Sequence, residues 1–136
     1  MKFLVDTNVA SEVGRPRANR KVVDWADSVD PETLYLSVLT LGEISRGIES
    51  LARRDPARAA NLQLWFEGLR RLYATRIIAV DSEIAEYWGR IDAKRSMPVV
   101  DGLLAATALV RGMTLVTRNT RDVRDTGVQI VNPWDD

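Results

Sequence analysis

Four stretches of the chain set a carboxylate against an apolar run. Phe3-Leu4-Val5 runs straight into Asp6-Thr7-Asn8, and Glu43 follows Leu-Ser-Val-Leu-Thr-Leu-Gly. Pro98-Val99-Val100 leads into Asp101, and Thr114-Leu115-Val116-Thr117 leads through Arg118 and Asn119 to Asp122. The chain contains no His and no Cys. Ser-His-Asp and Cys-His nucleophile systems are therefore excluded, as is a zinc site built from nitrogen and sulfur. Ionisable chemistry is left to carboxylates, Arg, Lys and Tyr. Clustered carboxylates call for a hard divalent cation, Mg²⁺ first and Mn²⁺ as a substitute.

Each acid taken singly has a structural explanation. Asp6 suits a helix N-cap, a role that stabilises by about 1 kcal/mol. Thr40-Leu41-Gly42-Glu43 reads as a capping box, with Glu43 in the first helical turn reaching back to the cap's amide. Asp101 suits the positive end of a helix, and Asp122 suits a cap or a solvated surface. Together they are harder to explain by capping. Two carboxylates in close contact repel by about 4 kcal/mol at an effective dielectric of 20. A divalent cation relieves that repulsion, and nearby hydroxyls and amides (Thr7, Asn8, Thr117, Asn119) suit the orientation of carboxylates or waters.

The elements that must position these residues follow from periodicity. Lys2–Val5, Thr33–Val38, Arg76–Val80, Met113–Thr117 and Val128–Val131 read as short strands. Helices are expected after Asp6, with Gly14 as the stop, over 16–29, 40–51 and 56–74, from Asp81-Ser82 with Ile84, Tyr87, Trp88 and Ile91 as its apolar face, and over 98–111, with Gly112 closing the last. A single turn is expected over 120–124. Pro98 suits the first position of its helix. Alternating strands and helices imply a parallel sheet covered on both faces. The strands read as continuous apolar runs, as such burial requires. Ligands bind such sheets outside the carboxyl ends of the strands, where Asp6, Glu43, Asp101 and Asp122 all fall.

LVDTNV, YLSVLTLGEISRGI, PVVDGLLAATAL and LVTRNTRDV resemble, in order and spacing, the motifs of PIN-domain nucleases. The resemblance is to the small VapC-like toxins of type II toxin-antitoxin pairs, in their FitB-like branch, and runs nearly end to end. It implies one domain over residues 1–136, a three-layer α/β/α sandwich around a parallel sheet of four to five strands. It implies a metal-dependent ribonuclease whose acids are Asp6, Glu43 and Asp101, with a fourth position near the end of the fourth strand. Some members carry that acid where this chain has Asn119, others where it has Asp122. Asp122 is taken as the acid and Asn119 as its neutral neighbour. The resemblance also implies a homodimer and an antitoxin that covers the acidic groove and brings the pair to promoter DNA.

The expected reaction is hydrolysis of RNA phosphodiesters, with Asp6, Asp101 and Glu43 holding Mg²⁺ directly or through water and Asp122 positioning the attacking water. Arg46, one helical turn beyond Glu43, and Arg118 and Arg121, which flank the last acidic motif, are candidates for RNA phosphate contact. Sixteen Arg against three Lys also fit a GC-rich gene. A phospho-accepting receiver domain would need a second acid beside Asp6, where Thr7 stands, and a dehalogenase-type phosphatase would need Asp at Asn8. A non-catalytic module working through antitoxin and DNA association is the other alternative; the four Trp suit interfaces as well as core. Zero net charge makes the whole molecule no general attractor of nucleic acid. The apolar run before Asp6 is too short for a signal peptide, and no stretch is apolar enough to span a membrane. With Cys absent, the cytoplasm is the expected location.

Overall fold

The computed structural model describes residues 1–135. Phe3–Val5 forms β1, buried at every position. Asp6 then caps α1, Thr7–Val13, and Gly14 follows as its C-cap. Helix α2 spans Arg20–Ser28, starting later than the apolar spacing predicts because the Asn19 side chain takes the cap, accepting from the Lys21 N–H at 2.9 Å. After a 3-10 turn at Pro31–Thr33, β2 runs Leu34–Ser37 into α3, Val38–Ala52. Helix α4 is Pro56–Leu72, with Asp55 as cap and Pro56 in its first turn.

Strand β3 is only Ile77–Ile78, shorter than the five residues expected. Its last partner is Ser37, where β2 itself ends, so nothing remains for Ala79 and Val80 to pair with. Helix α5, Ser82–Lys94, is capped by Asp81 as expected. Helix α6 is Val99–Arg111. Pro98 sits one place outside it as the N-cap, with ψ of 135°, and Gly112 closes it at φ 66° in the left-handed region that favours glycine. Strand β4, Thr114–Val116, leads to α7, Thr120–Val123, a 3-10 turn at Arg124–Thr126, and β5, Ile130–Val131.

All five strands are parallel, in the order β3-β2-β1-β4-β5. Successive side chains of β1 point to opposite faces, and each face is covered. Phe3 and Val5 join Val9, Ala10, Val22 and Tyr73 on the side of α1, α2 and α4. Leu4 joins Leu104, Ala105, Ala108 and Val123 on the side of α6 and α7. Helices α3 and α4 pack through Ile44, Ile48, Leu51, Ala59 and Phe66, and α5 packs on α6. The result is the three-layer α/β/α arrangement. No helix among the described residues is long and apolar enough to cross a membrane.

Candidate active site

The chain turns back on itself at one place in the sheet. From β1 it proceeds through β2 to β3 on one side, then returns to β4 and β5 on the other. The carboxyl ends of β1 and β4 therefore flank a crevice left open by helices departing in opposite directions. Asp6 stands at the end of β1, 6% exposed. It is both cap and site: Oδ1 accepts from the Thr7 backbone N–H at 2.6 Å. Its other oxygen accepts from the Thr117 hydroxyl at 2.7 Å and from Asn8 Nδ2 at 3.3 Å. Thr117 is itself fully buried just past β4 and accepts from the Asn119 N–H at 3.0 Å. The ends of β1 and β4 are thus tied together through the Asp6 carboxylate.

Glu43 reaches this crevice from α3, and the capping-box reading of it fails. Ser37 is the cap of α3, accepting from the Leu39 N–H at 3.0 Å. The helix therefore starts before Thr40, and Glu43 lies in its second turn rather than its first. Its carboxylate instead accepts from the Thr7 hydroxyl, which is also 3.2 Å from the Thr40 hydroxyl. Asp101 lies in the first turn of α6 and accepts from Asn119 Nδ2 at 2.8 Å. Asp6, Glu43 and Asp101 line one cavity of about 380 Å³ together with Thr7, Asn8 and Arg118.

The electrostatics register the crowding. Burial raises the Asp6 carboxyl above its ordinary value of 3.8, and the Glu43 charge adds to the rise; the bonds from Thr117, Thr7 and Asn8 oppose it. Asp101 is pushed up to about 6, first by burial and then by the charges of Asp6, Asp122 and Glu43, with Asn119 opposing. Among the described residues no ion pair involves any of these four acids. No three acids among the described residues are gathered closely enough to form a ready cage for an ion. An oxygen-only donor set with unneutralised charge suits Mg²⁺, which keeps several waters and takes one or two carboxylates directly. The donor chemistry is of the kind such an ion takes, without a preformed set of ligands among the described residues.

Of the remaining expected residues, Thr7, Asn8, Thr117 and Asn119 each hold an acid or a strand end in the bonds above. The Arg118 N–H lies 3.4 Å from Asn8 Oδ1. Asp122 sits on α7 outside the cavity wall, felt by Asp101 through its charge. Arg46 is exposed and outside the wall. The wall also contains Ser11, Glu12 and Arg15, which the motif reading missed. Glu12 accepts from the Asn19 N–H at 2.8 Å and pairs with Arg15 at 3.2 Å. Positions 8, 11 and 12 carry the spacing of one helical face, the signal that was available in the sequence, whereas Arg15 lies just beyond the helix's C-cap. Trp134, from beyond β5, completes the wall.

A family model described as PIN domain matches residues 3–128. A protein called toxin FitB, from Neisseria gonorrhoeae, is 33% identical, covering 98% of this chain and 99% of its own length. A protein called VapC ribonuclease Y4jK, from Sinorhizobium fredii, is 33% identical, covering 98% of each. The crystal structure of FitAcB from Neisseria gonorrhoeae superposes with a TM-score of 0.88 at 33% identity, covering 97% of this chain and 98% of that one.

Proposed function

The chain belongs to the PIN-domain family, and from that premise we propose that it is a Mg²⁺-dependent endoribonuclease acting as the toxin of a type II toxin-antitoxin pair. The observation that carries the reading is the convergence of Asp6, Glu43 and Asp101 on one cavity, none of them in an ion pair among the described residues. Relatives called toxin FitB and VapC ribonuclease Y4jK, each matched over nearly the whole chain, support the substrate and the biological role. A non-catalytic binding module would have no use for one buried and two half-buried acids facing one cavity.

Asp6, Glu43 and Asp101 would hold Mg²⁺, or Mn²⁺ in its place, directly or through water. When bound, the ion supplies positive charge against the phosphate oxygens and promotes ionisation of water. The protein's own part is pre-organisation. Thr117 and the Thr7 N–H fix Asp6, the Thr7 hydroxyl fixes Glu43, and Asn119 fixes Asp101. Each acid thereby loses rotamer freedom before substrate arrives. Asp122, expected to position the attacking water, lies outside the cavity wall and acts on the site through its charge on Asp101; with no His in the chain the proton from the attacking water passes to a carboxylate. Arg118 at the wall attracts the RNA phosphate. The protein works in the cytoplasm as a homodimer, held inactive by an antitoxin over the acidic cavity; promoter DNA is reached only through that antitoxin.

The test is cleavage of an unstructured RNA by the purified protein, with Mg²⁺ and with chelator, beside Asp6→Asn. Asn caps a helix as well as Asp, so the variant keeps the cap of α1. Loss of an orienting group around a metal costs about 10- to 100-fold, and loss of Asp6 itself is expected to cost at least about 100-fold. Undiminished cleavage by the variant, or cleavage indifferent to chelation, removes the mechanism.

A further inference from the structure

We propose that Arg118 and Trp134 form a stacking platform for one unpaired nucleobase beside the acidic cavity, a subsite that rests on the RNA-cleaving reading above. The guanidinium of Arg118 lies 4.9 Å from the centroid of the Trp134 ring. Both residues line the cavity that holds Asp6, Glu43 and Asp101. The other three Trp are engaged elsewhere. Trp25 meets the edge of Phe3 at 5.3 Å in the core, Trp65 lies against Gly14, and Trp88 lies against Gly102.

The platform is anchored from behind. Trp134 packs against the cluster that contains Val5 and Val116. Its backbone N–H donates to Asn132 Oδ1 at 3.0 Å, in a turn whose Pro133 is buried. Arg118 follows Thr117 directly, so it is set by the strand end that fixes Asp6. It is exposed, and no ion pair among the described residues occupies it. A phosphate alone needs the charge of Arg118 and no aromatic ring beneath it. A planar cation backed by an indole offers a flat, polarisable face, the surface on which single-stranded RNA bases stack. Its position on the acids' own cavity wall puts the stacked base beside the phosphate to be cut. A base held there restricts which linkage reaches the acids, so the platform contributes to the choice of cleavage site.

The experiment first maps the cut made by the wild type in an unstructured RNA, then replaces each nucleotide flanking the cut by an abasic residue. Stacking of one base on an aromatic contributes about five- to 100-fold in affinity. One abasic position is expected to raise the wild-type KM by that factor. Trp134→Leu, which keeps apolar packing, is expected to raise the KM for intact RNA comparably and to feel no further penalty from that abasic position; Trp134→Phe keeps the penalty. Arg118→Ala, an exposed change, runs the same cycle should the Leu variant fail to fold. Abasic penalties equal in wild type and both variants overturn the platform while leaving the ribonuclease standing. A wild type that cuts no RNA overturns both. A KM for RNA unmoved in both variants, with antitoxin binding weakened instead, assigns the pair to a protein partner and also overturns the proposal.

Discussion

Replacing Asp101 by Asn is expected to stabilise the metal-free protein while abolishing its activity. The fold raises this carboxyl from 3.8 to about 6, so the folded state disfavours the charged form. An acid raised in this way binds more protons folded than unfolded between about pH 4 and 6. Stability present below pH 4 is therefore lost as pH rises through that window. At about 1.4 kcal/mol per pH unit the full effect is roughly 3 kcal/mol, and solvent screening of this partly buried group reduces it to about 1 to 2 kcal/mol. Asn matches Asp in shape and its oxygen still accepts from Asn119 Nδ2, so packing contributes little to the difference. For a chain of this size each kcal/mol shifts Tm by about 3 °C. In chelator at pH 7.5 the variant is expected to melt about 3 to 6 °C above wild type, with most of the gap gone by pH 4 and the rest lost about a unit lower, where Asp101 is protonated in both states. Millimolar Mg²⁺ is expected to narrow the gap at pH 7.5 by relieving the repulsion in wild type. Equal melting at pH 7.5, or a gap undiminished at pH 4, refutes the claim that the crevice stores uncompensated negative charge.

The neighbours of Asp101 act on it in opposite directions. Asp122→Asn removes a charge that raises its pKa, and Asn119→Ala removes a donor that lowers it; the first is expected to move the Asp101 titration, followed by NMR, to lower pH and the second to higher pH. Arg76→Met is expected to cost about 3 kcal/mol or more in urea unfolding, because the buried guanidinium donates to the carbonyls of Pro31, Leu34 and Leu72 at 2.8, 2.6 and 3.0 Å. Gly14→Ala is expected to destabilise by about 1 kcal/mol or more, since an added Cβ meets the Trp65 ring. Gly47→Ala, at an open position within α3, is expected to stabilise by about 0.5 to 1 kcal/mol in the same thermal assay.

Much of the architecture follows from local sequence. Runs such as Phe3–Val5, and Leu115–Val116 with the small Thr114 before them, are buried at every position. Asp55, Asp81 and Gly112 mark helix ends because caps are local chemistry, complete within a few residues. The lack of His and Cys restricted the chemistry before any fold was known. Where local rules compete, the sequence misplaces a boundary. Ser37 and Thr40 are both good caps, and only the end of β2 at Ser37 selects the first.

The arrangement of the acids belongs to the tertiary structure. The pattern of residues places Asp6, Glu43, Asp101 and Asp122 at one sheet edge, but not who touches whom. That Thr7 serves Glu43 from 36 residues away, that Thr117 serves Asp6 from 111, and that Asn119 rather than Asp122 meets Asp101 depends on strand order and helix crossing. Trp134 reaches the same wall only because β5 lies beside β4. Chain composition and periodicity are read along one dimension and determine which elements form. Side-chain contacts across the switch point are set by packing in three dimensions, where residues distant in sequence become neighbours.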